Sequence, residues 1–152
     1  MPQKIVPFLW FDKTAEQAVA FYQSVFDQLK ITDRMKTGSH TMSFTIELSG
    51  QEFIIFNAPG PQFQFSPAMS MFVRCDSQEE IDYYWQKLST GGKILQCGWL
   101  TDQFGLSWQI VPNVLGKLLS SPDRAKSQAA MNAMLKMTKL VIKDLQDAYD
   151  RG

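Results

Sequence analysis

The sequence predicts an α+β fold: two β-α-β-β-β modules forming a curved sheet around a cleft, with helices added at the C-terminus. Three observations lead there. A strand ending in Asp and followed by a helix-capping pattern occurs twice, with Asp12 and Asp76, Glu16 and Glu80, and Phe21 and Trp85 each 64 residues apart. Gly50 and Gly105 each open the last strand of their half, and at that offset Phe53 matches Trp108 and Ile55 matches Ile110. Finally, a lone four-stranded unit with one helix cannot bury both faces, whereas two such units can.

Residues 4–11, KIVPFLWF, read as the first strand, with Pro7 marking an edge or bulge because it has no N–H to donate. Thr14 to Gln17 has the T-x-x-Q pattern of a capping box. Ala15, Ala18, Val19, Tyr22, Val25, Phe26 and Leu29 then form one apolar stripe at helical spacing. Residues 31–36 read as a short strand and Gly38 as a turn. Met42, Phe44, Ile46 and Leu48 alternate with polar residues, the period of a half-buried strand. Residues 51–57 return as its hairpin partner past Ser49-Gly50.

Residues 58–67, with Pro59, Pro61 and Pro67, read as a linker. Residues 69–75 are the next strand. Ser77 and Glu80 form a second capping box, and its helix buries Ile81, Tyr84, Trp85 and Leu88 before Gly91-Gly92 stops it. Short strands at 93–97 and 98–102, a turn from Asp102 to Gly105 and a strand over 106–111 complete the second half. Ser121-Pro122 offers an N-cap and a first-turn proline for a helix reaching about Met137, with Met131, Met134 and Met137 on a packing stripe. A last helix carries Val141, Leu145, Ala148 and Tyr149. The organisation is thus a single domain, 1–152: a first module at 3–57, the linker at 58–67, a second module at 68–112 and a helical extension at 113–152.

Composition narrows the function. The chain has 152 residues, is 45% hydrophobic and 20% charged, and so can bury a core. Fifteen basic residues against fifteen acidic ones give no net charge, which argues against nucleic-acid binding through a basic surface. No apolar run reaches the roughly 18–20 residues that span a bilayer, and the N-terminus lacks a signal-peptide cleavage site, so no membrane role and a cytoplasmic location are expected. Two cysteines, Cys75 and Cys97, read as small buried hydrophobes, and a single histidine removes most metal and triad schemes. His40 sits at the turn into a strand, either an exposed turn residue or a general base at a cleft mouth.

Candidate ligand-binding residues come from the aromatic content and the last strand. Leu106, Trp108 and Ile110 share the face expected to meet the helices, so Ser107, Gln109 and Val111 face the other way. A carboxamide there can donate and accept, fixing one polar group of a ligand. Trp10, Phe44, Phe56 and Trp99 are candidates to wall an apolar cavity, and Cys97, beside Gly98, stands where the backbone can approach closely. No catalytic residue is singled out.

The stretches PFLWFD, AxxFYxxVF, GQEFIIFN, YYWQKL and QCGWLTDQFGLSWQIVP resemble the PhnB-like family, labelled 3-demethylubiquinone-9 3-methyltransferase. That family lies in the vicinal-oxygen-chelate superfamily of glyoxalase I, bleomycin-resistance proteins and extradiol dioxygenases. The resemblance runs from about residue 3 to the C-terminal helices. It implies the glyoxalase/bleomycin-resistance fold and a homodimer, for which the 58–67 linker suits handing one module to a partner. Metal-dependent members bind their ion through His, Glu, His and Glu on the first and last strand of each half. Those positions fall here at Val6 or Pro7, at Ile54, at Ser70 or Met71, and at Gln109. None is an imidazole or carboxylate, and a carboxamide is a poor sole anchor for a divalent transition metal. No metal and no other cofactor are therefore expected.

The expected function is a metal-free protein binding a small apolar or aromatic molecule in the cleft, as resistance proteins of the superfamily sequester drugs. The alternative is an enzyme of lyase, isomerase or oxygenase type acting on a small metabolite. A methyltransferase, as the label has it, ranks third, because Gly91-Gly92 closes a helix where a cofactor loop would open one.

Overall fold

The computed structural model describes residues 3–60 and 63–152; Pro61 and Gln62 of the expected linker lie outside the described residues, as do Met1 and Pro2. The chain divides into two compact units, Met1–Gln64 and Phe65–Gly152.

The first unit runs β1 (Phe8–Asp12), α1 (Ala15–Val25), β2 (Lys30–Thr37), β3 (His40–Leu48) and β4 (Gln51–Ala58). Its sheet has the order β1-β4-β3-β2, with β1 parallel to β4 and the other pairs antiparallel. The second unit repeats it with β5 (Ser70–Cys75), α2 (Gln78–Ser89), β6 (Lys93–Ile94), β7 (Trp99–Thr101) and β8 (Ser107–Pro112), in the order β5-β8-β7-β6. Three further helices follow: α3 (Val114–Leu119), α4 (Arg124–Met134) and α5 (Ile142–Arg151). The duplicated βαβββ pattern is therefore a duplicated topology. The fold is α+β, two mixed four-stranded sheets each with a helix on one face.

Alternation decides which face each helix covers. In the first unit Leu9, Phe11, Phe44, Ile46, Phe53 and Ile55 are buried, and α1 packs across β1, β3 and β4 with Ala18, Val19, Tyr22 and Val25. A fully buried large apolar side chain contributes about 1.5–3 kcal/mol relative to exposure. In the second unit α2 lays Ile81, Trp85 and Leu88 against β5, β7 and β8, where Cys75, Leu100, Trp108 and Ile110 are buried. Burial and the neighbouring Glu80 and Asp76 carboxylates push the Cys75 thiol up to about 12. It stays protonated at neutral pH and is an inert packing group.

The two capping boxes have different fates. At α2 the Ser77 hydroxyl accepts the Glu80 N–H at 3.2 Å and the Glu80 carboxylate accepts the Asp76 N–H at 3.1 Å. At α1 Thr14 makes no side-chain cap. The buried Asn57 on β4 takes that place: its Oδ1 accepts the Ala15 N–H at 3.3 Å while its Nδ2 donates to the Thr41 carbonyl at 3.2 Å. The helix also stops at Val25. Phe26 turns extended, yet Phe26 and Leu29 stay in the core, so the apolar stripe outlives the helix. Further on, the cap of α4 is Asp123, whose carboxylate accepts the Lys126 N–H at 3.2 Å; Ser121-Pro122 lies just ahead of it.

The C-terminal helices share a core of Val111, Leu115, Leu118, Ala130, Leu140 and Leu145. Backbone hydrogen bonds, together with the packing of Leu140, tie their connection to the sheet. Cys97 and Gly98 both have positive φ, 58° and 83°. Their N–H groups donate to the carbonyls of Met137 and Thr138 at 2.9 and 2.8 Å. Among the described residues no helix is long and apolar enough to cross a membrane.

Candidate functional site

Each sheet has a second face that its helix does not cover. In the second unit that face is a grid fixed by register. Ser70 pairs with Ser107, which pairs with Thr101; Phe72 pairs with Gln109, which pairs with Trp99; Arg74 pairs with Val111. The grid thus holds a row of hydroxyls, a row of ring, carboxamide and ring, and a row opened by a guanidinium. Gln109 Nε2 donates to Ser70 Oγ at 3.0 Å, and its Oε1 has no donor among the described residues. Phe72 is 52% exposed, with the Arg74 guanidinium carbon 5.9 Å from its ring centroid.

Ser107 is the anomaly of this face. It is buried, and its hydroxyl has no hydrogen-bond partner among the described residues. An unpaired buried hydroxyl costs about 1–3 kcal/mol, so Ser107→Ala is expected to raise the unfolding free energy by about 1 kcal/mol. Urea melts measure this; a loss of stability would show that the hydroxyl has a partner.

In the first unit the uncovered face carries a chain of touching rings. Phe8 and Phe56 lie 5.2 Å apart between centroids, Phe56 and Trp10 5.1 Å at 88°, and Trp10 and Phe63 4.8 Å at 74°. The edge-to-face contacts are the favoured geometry of such pairs. Trp10 is oriented by its Nε1–H donating to the Ala58 carbonyl at 2.9 Å. Gly60 closes over it, its N–H bonded to the Asp12 carboxylate at 3.2 Å; a Cβ at Gly60 would stand 3.3 Å from Trp10 Nε1.

The expected site residues therefore separate. Trp10 and Phe56 are brought together in the first unit, and Trp99 and Gln109 in the second. Phe44 belongs to the other face: it shares parity with Ile46 and Leu48, is buried with them, and has the Arg34 guanidinium carbon 5.8 Å from its ring centroid. Cys97 stands ahead of β7, in the left-handed turn that holds the C-terminal segment. His40 is exposed at the β2–β3 turn, its Nε2 3.4 Å from the Asn57 carbonyl oxygen. The residues that the sequence reading did not name as ligand-binding are Phe8, Phe63, Ser70, Phe72, Arg74, Thr101 and Ser107. Alternation within SMFVRC was the available signal for Ser70, Phe72 and Arg74.

The donor set does not fit a divalent transition metal. Pro7, ahead of β1, gives only its carbonyl, which accepts the Ile54 N–H at 3.0 Å. Ile54 is hydrocarbon, and the other two candidate positions, Ser70 and Gln109, already bond each other. Imidazole, thiolate or carboxylate ligands are what such ions select. Among the described residues no three His, Cys, Asp or Glu side chains cluster as ligands. A nucleotide-type methyl donor fares no better. The strand-to-helix turns are Asp12-Lys13-Thr14 and Asp76-Ser77, with no glycine to let a cofactor approach the backbone.

The family model described as 3-demethylubiquinone-9 3-methyltransferase matches residues 3–111. A Bacillus cereus PhnB protein, described as a putative 3-demethylubiquinone-9 3-methyltransferase, is 37% identical; the match covers 72% of this chain and 99% of that one, with a TM-score of 0.67. A Pseudomonas aeruginosa protein is 18% identical over 73% of this chain and 98% of its own, with a TM-score of 0.60. The fosfomycin resistance protein FosX of Listeria monocytogenes, in complex with Mn(II) and sulfate, is 14% identical over 71% and 87%, with a TM-score of 0.51. These last two share the fold. No curated protein matches the chain.

Proposed function

The chain belongs to the 3-demethylubiquinone-9 3-methyltransferase family, the PhnB-like members of the vicinal-oxygen-chelate superfamily, and from that membership we propose a protein that binds a small organic molecule on the uncovered face of its second sheet, without a metal. The observation that carries this is the Gln109 carboxamide, held by Ser70 and set in register between Phe72 and Trp99. Rings supply apolar contact, worth about 25 cal/mol per Å² removed from water, and one oriented amide selects the ligand's polar group. FosX holds Mn(II) on this fold, whereas an amide and a hydroxyl bind neutral polar groups better than a cation. Methyl transfer finds no support in either strand-to-helix turn. The protein works in the cytoplasm as a homodimer, a state that light scattering tests directly.

The decisive experiment pairs elemental analysis of the purified protein with a thermal-shift screen of small aromatic compounds. A ligand at a hundred times its Kd stabilises by about 2.7 kcal/mol, a shift of several degrees at this chain length. The expected result is a hit whose shift disappears in Gln109→Ala while the unliganded melting temperature holds, and no stoichiometric metal. Stoichiometric Zn, Ni, Mn or Fe, or hits indifferent to Gln109, overturn the proposal.

A further inference from the structure

We infer that the ligand of this face is a flat aromatic anion, its ring against the Phe72–Gln109–Trp99 row and its negative group on the Arg74 guanidinium. The inference rests on the binding site proposed above and adds the chemistry of its occupant.

Charge is the first argument. Of the side chains that strand pairing places on this face, Ser70, Phe72, Arg74, Ser107, Gln109, Val111, Trp99, Thr101 and Lys93, two are cationic, Arg74 in the row beside Phe72 and Lys93 beyond Thr101 at the far edge, and none is anionic. Arg74 makes no ion pair among the described residues; the two ion pairs described, Lys139 with Asp82 and Lys143 with Asp147, lie elsewhere. Its row partner Val111 is drawn into the core of the C-terminal helices and offers no acceptor. The planar guanidinium fork therefore has its donors available, in the geometry that matches a carboxylate.

Shape is the second. Strands lie about 4.8 Å apart, so Phe72 and Trp99, flanking Gln109, stand on backbones roughly 9.6 Å apart. That spacing leaves room for a ring to stand edge-on between them at about 3.5 Å of contact distance on each side, and contact with two aromatic side chains favours an aromatic ring over a saturated one. Two residues of strand span about 6.6 Å, and the guanidinium leans back to within 5.9 Å of the Phe72 centroid. A ring seated on the row thus reaches Arg74 through a single exocyclic group. Toward the hydroxyl row, Ser70 Oγ accepts from Gln109, which leaves its own O–H to donate and Gln109 Oε1 to accept. A neutral substituent suits that end.

Isothermal titration of the full chain with 2-naphthoate, 2-naphthamide and cyclohexanecarboxylate tests this. Naphthoate is expected to bind at least tenfold more tightly than either of the others. Arg74→Gln should reduce naphthoate to the affinity of naphthamide and leave naphthamide within twofold. Trp99→Leu should weaken both naphthyl probes by fivefold or more. Arg74 is exposed and ion-pair-free, so an unchanged urea midpoint verifies that Arg74→Gln folds. Equal affinity for acid and amide, an acid-to-amide ratio unmoved by Arg74→Gln, or no naphthyl binding overturns the inference. The two readings fail separately: Gln109-dependent hits that are all neutral leave the site standing and remove the anion, whereas hits indifferent to Gln109 remove the site itself.

Discussion

Asp102→Ala is expected to destabilise the fold by about 3–5 kcal/mol. Asp102 is 3% exposed and organises the turn into β8. Its Oδ1 accepts the N–H groups of Phe104 and Leu106 at 2.9 and 3.1 Å, and its Oδ2 accepts the indole N–H of Trp108 at 2.9 Å. The backbone closes the same turn, with the Asp102 N–H donating to Leu106 and the Gly105 N–H to Asp102, both at 2.9 Å. Alanine strands three donors, two of them buried and the Phe104 N–H partly so, and leaving a buried donor unpaired costs about 1–3 kcal/mol each before relaxation. Asp102→Asn keeps one acceptor oxygen but turns an N–H₂ toward the third donor, so a smaller loss of about 1–3 kcal/mol is expected. Trp108→Phe removes that donor. In the double variant Asp102→Asn/Trp108→Phe the losses should fall short of their sum, because the clash between two donors is gone. Urea denaturation followed by circular dichroism reads all four chains. A loss under about 1 kcal/mol for Asp102→Ala would show a carboxylate that water already satisfies.

The motif around Asp102 was the most specific stretch of the sequence, and the structure shows why it carries so little chemistry. Asp, Gly and Trp in DQFGLSW are bound to one another, so the signal they give concerns a turn. Local features were readable in general. Each half declares itself through an Asp, a cap and an apolar stripe, all within about fifteen residues. What failed was whatever depended on distant partners. The T-x-x-Q pattern at Thr14 has the form of a capping box, but Asn57, 42 residues away in sequence, supplies the bond instead. Within the helical extension, α3 has no signature of its own, because VLGKLL is too short to show a period and contains Gly116. For the site, parity along β8 was enough to place Gln109 opposite to Trp108. On β3 the same rule puts Phe44 with Ile46 and Leu48, on the buried face and away from any ligand. Cys97 illustrates the limit: nothing in QCGW shows that a non-glycine residue there has a φ of 58°.

Gly92→Ala is expected to cost about 3 kcal/mol or more and to loosen the edge of the candidate site as it does so. A Cβ at Gly92 would lie 2.0 Å from the Thr101 carbonyl oxygen and 2.8 Å from the Asp102 carbonyl carbon. Those are backbone atoms, so no rotamer change relieves the contact. The next residue, Lys93, pairs with Thr101 to start the β6–β7 ladder, and the Gly92 N–H holds the end of α2 at 2.9 Å from the Ser89 carbonyl. The chain must therefore part β6 from β7 or release the helix end. Gly105→Ala is the matched control. There a Cβ meets nothing within 4 Å and only the φ of +87° is unfavourable, so a cost of about 1–2 kcal/mol is expected. Trp99 and Thr101 both ride on β7, so Gly92→Ala should also weaken binding of any ligand that uses Trp99, even at temperatures where the protein remains folded. Melting curves and titrations on the same two variants separate strain at a turn from displacement of a strand; equal losses for the two alanines would show that β7 yields freely, and that the ring on its surface is not held in place by the backbone beneath it.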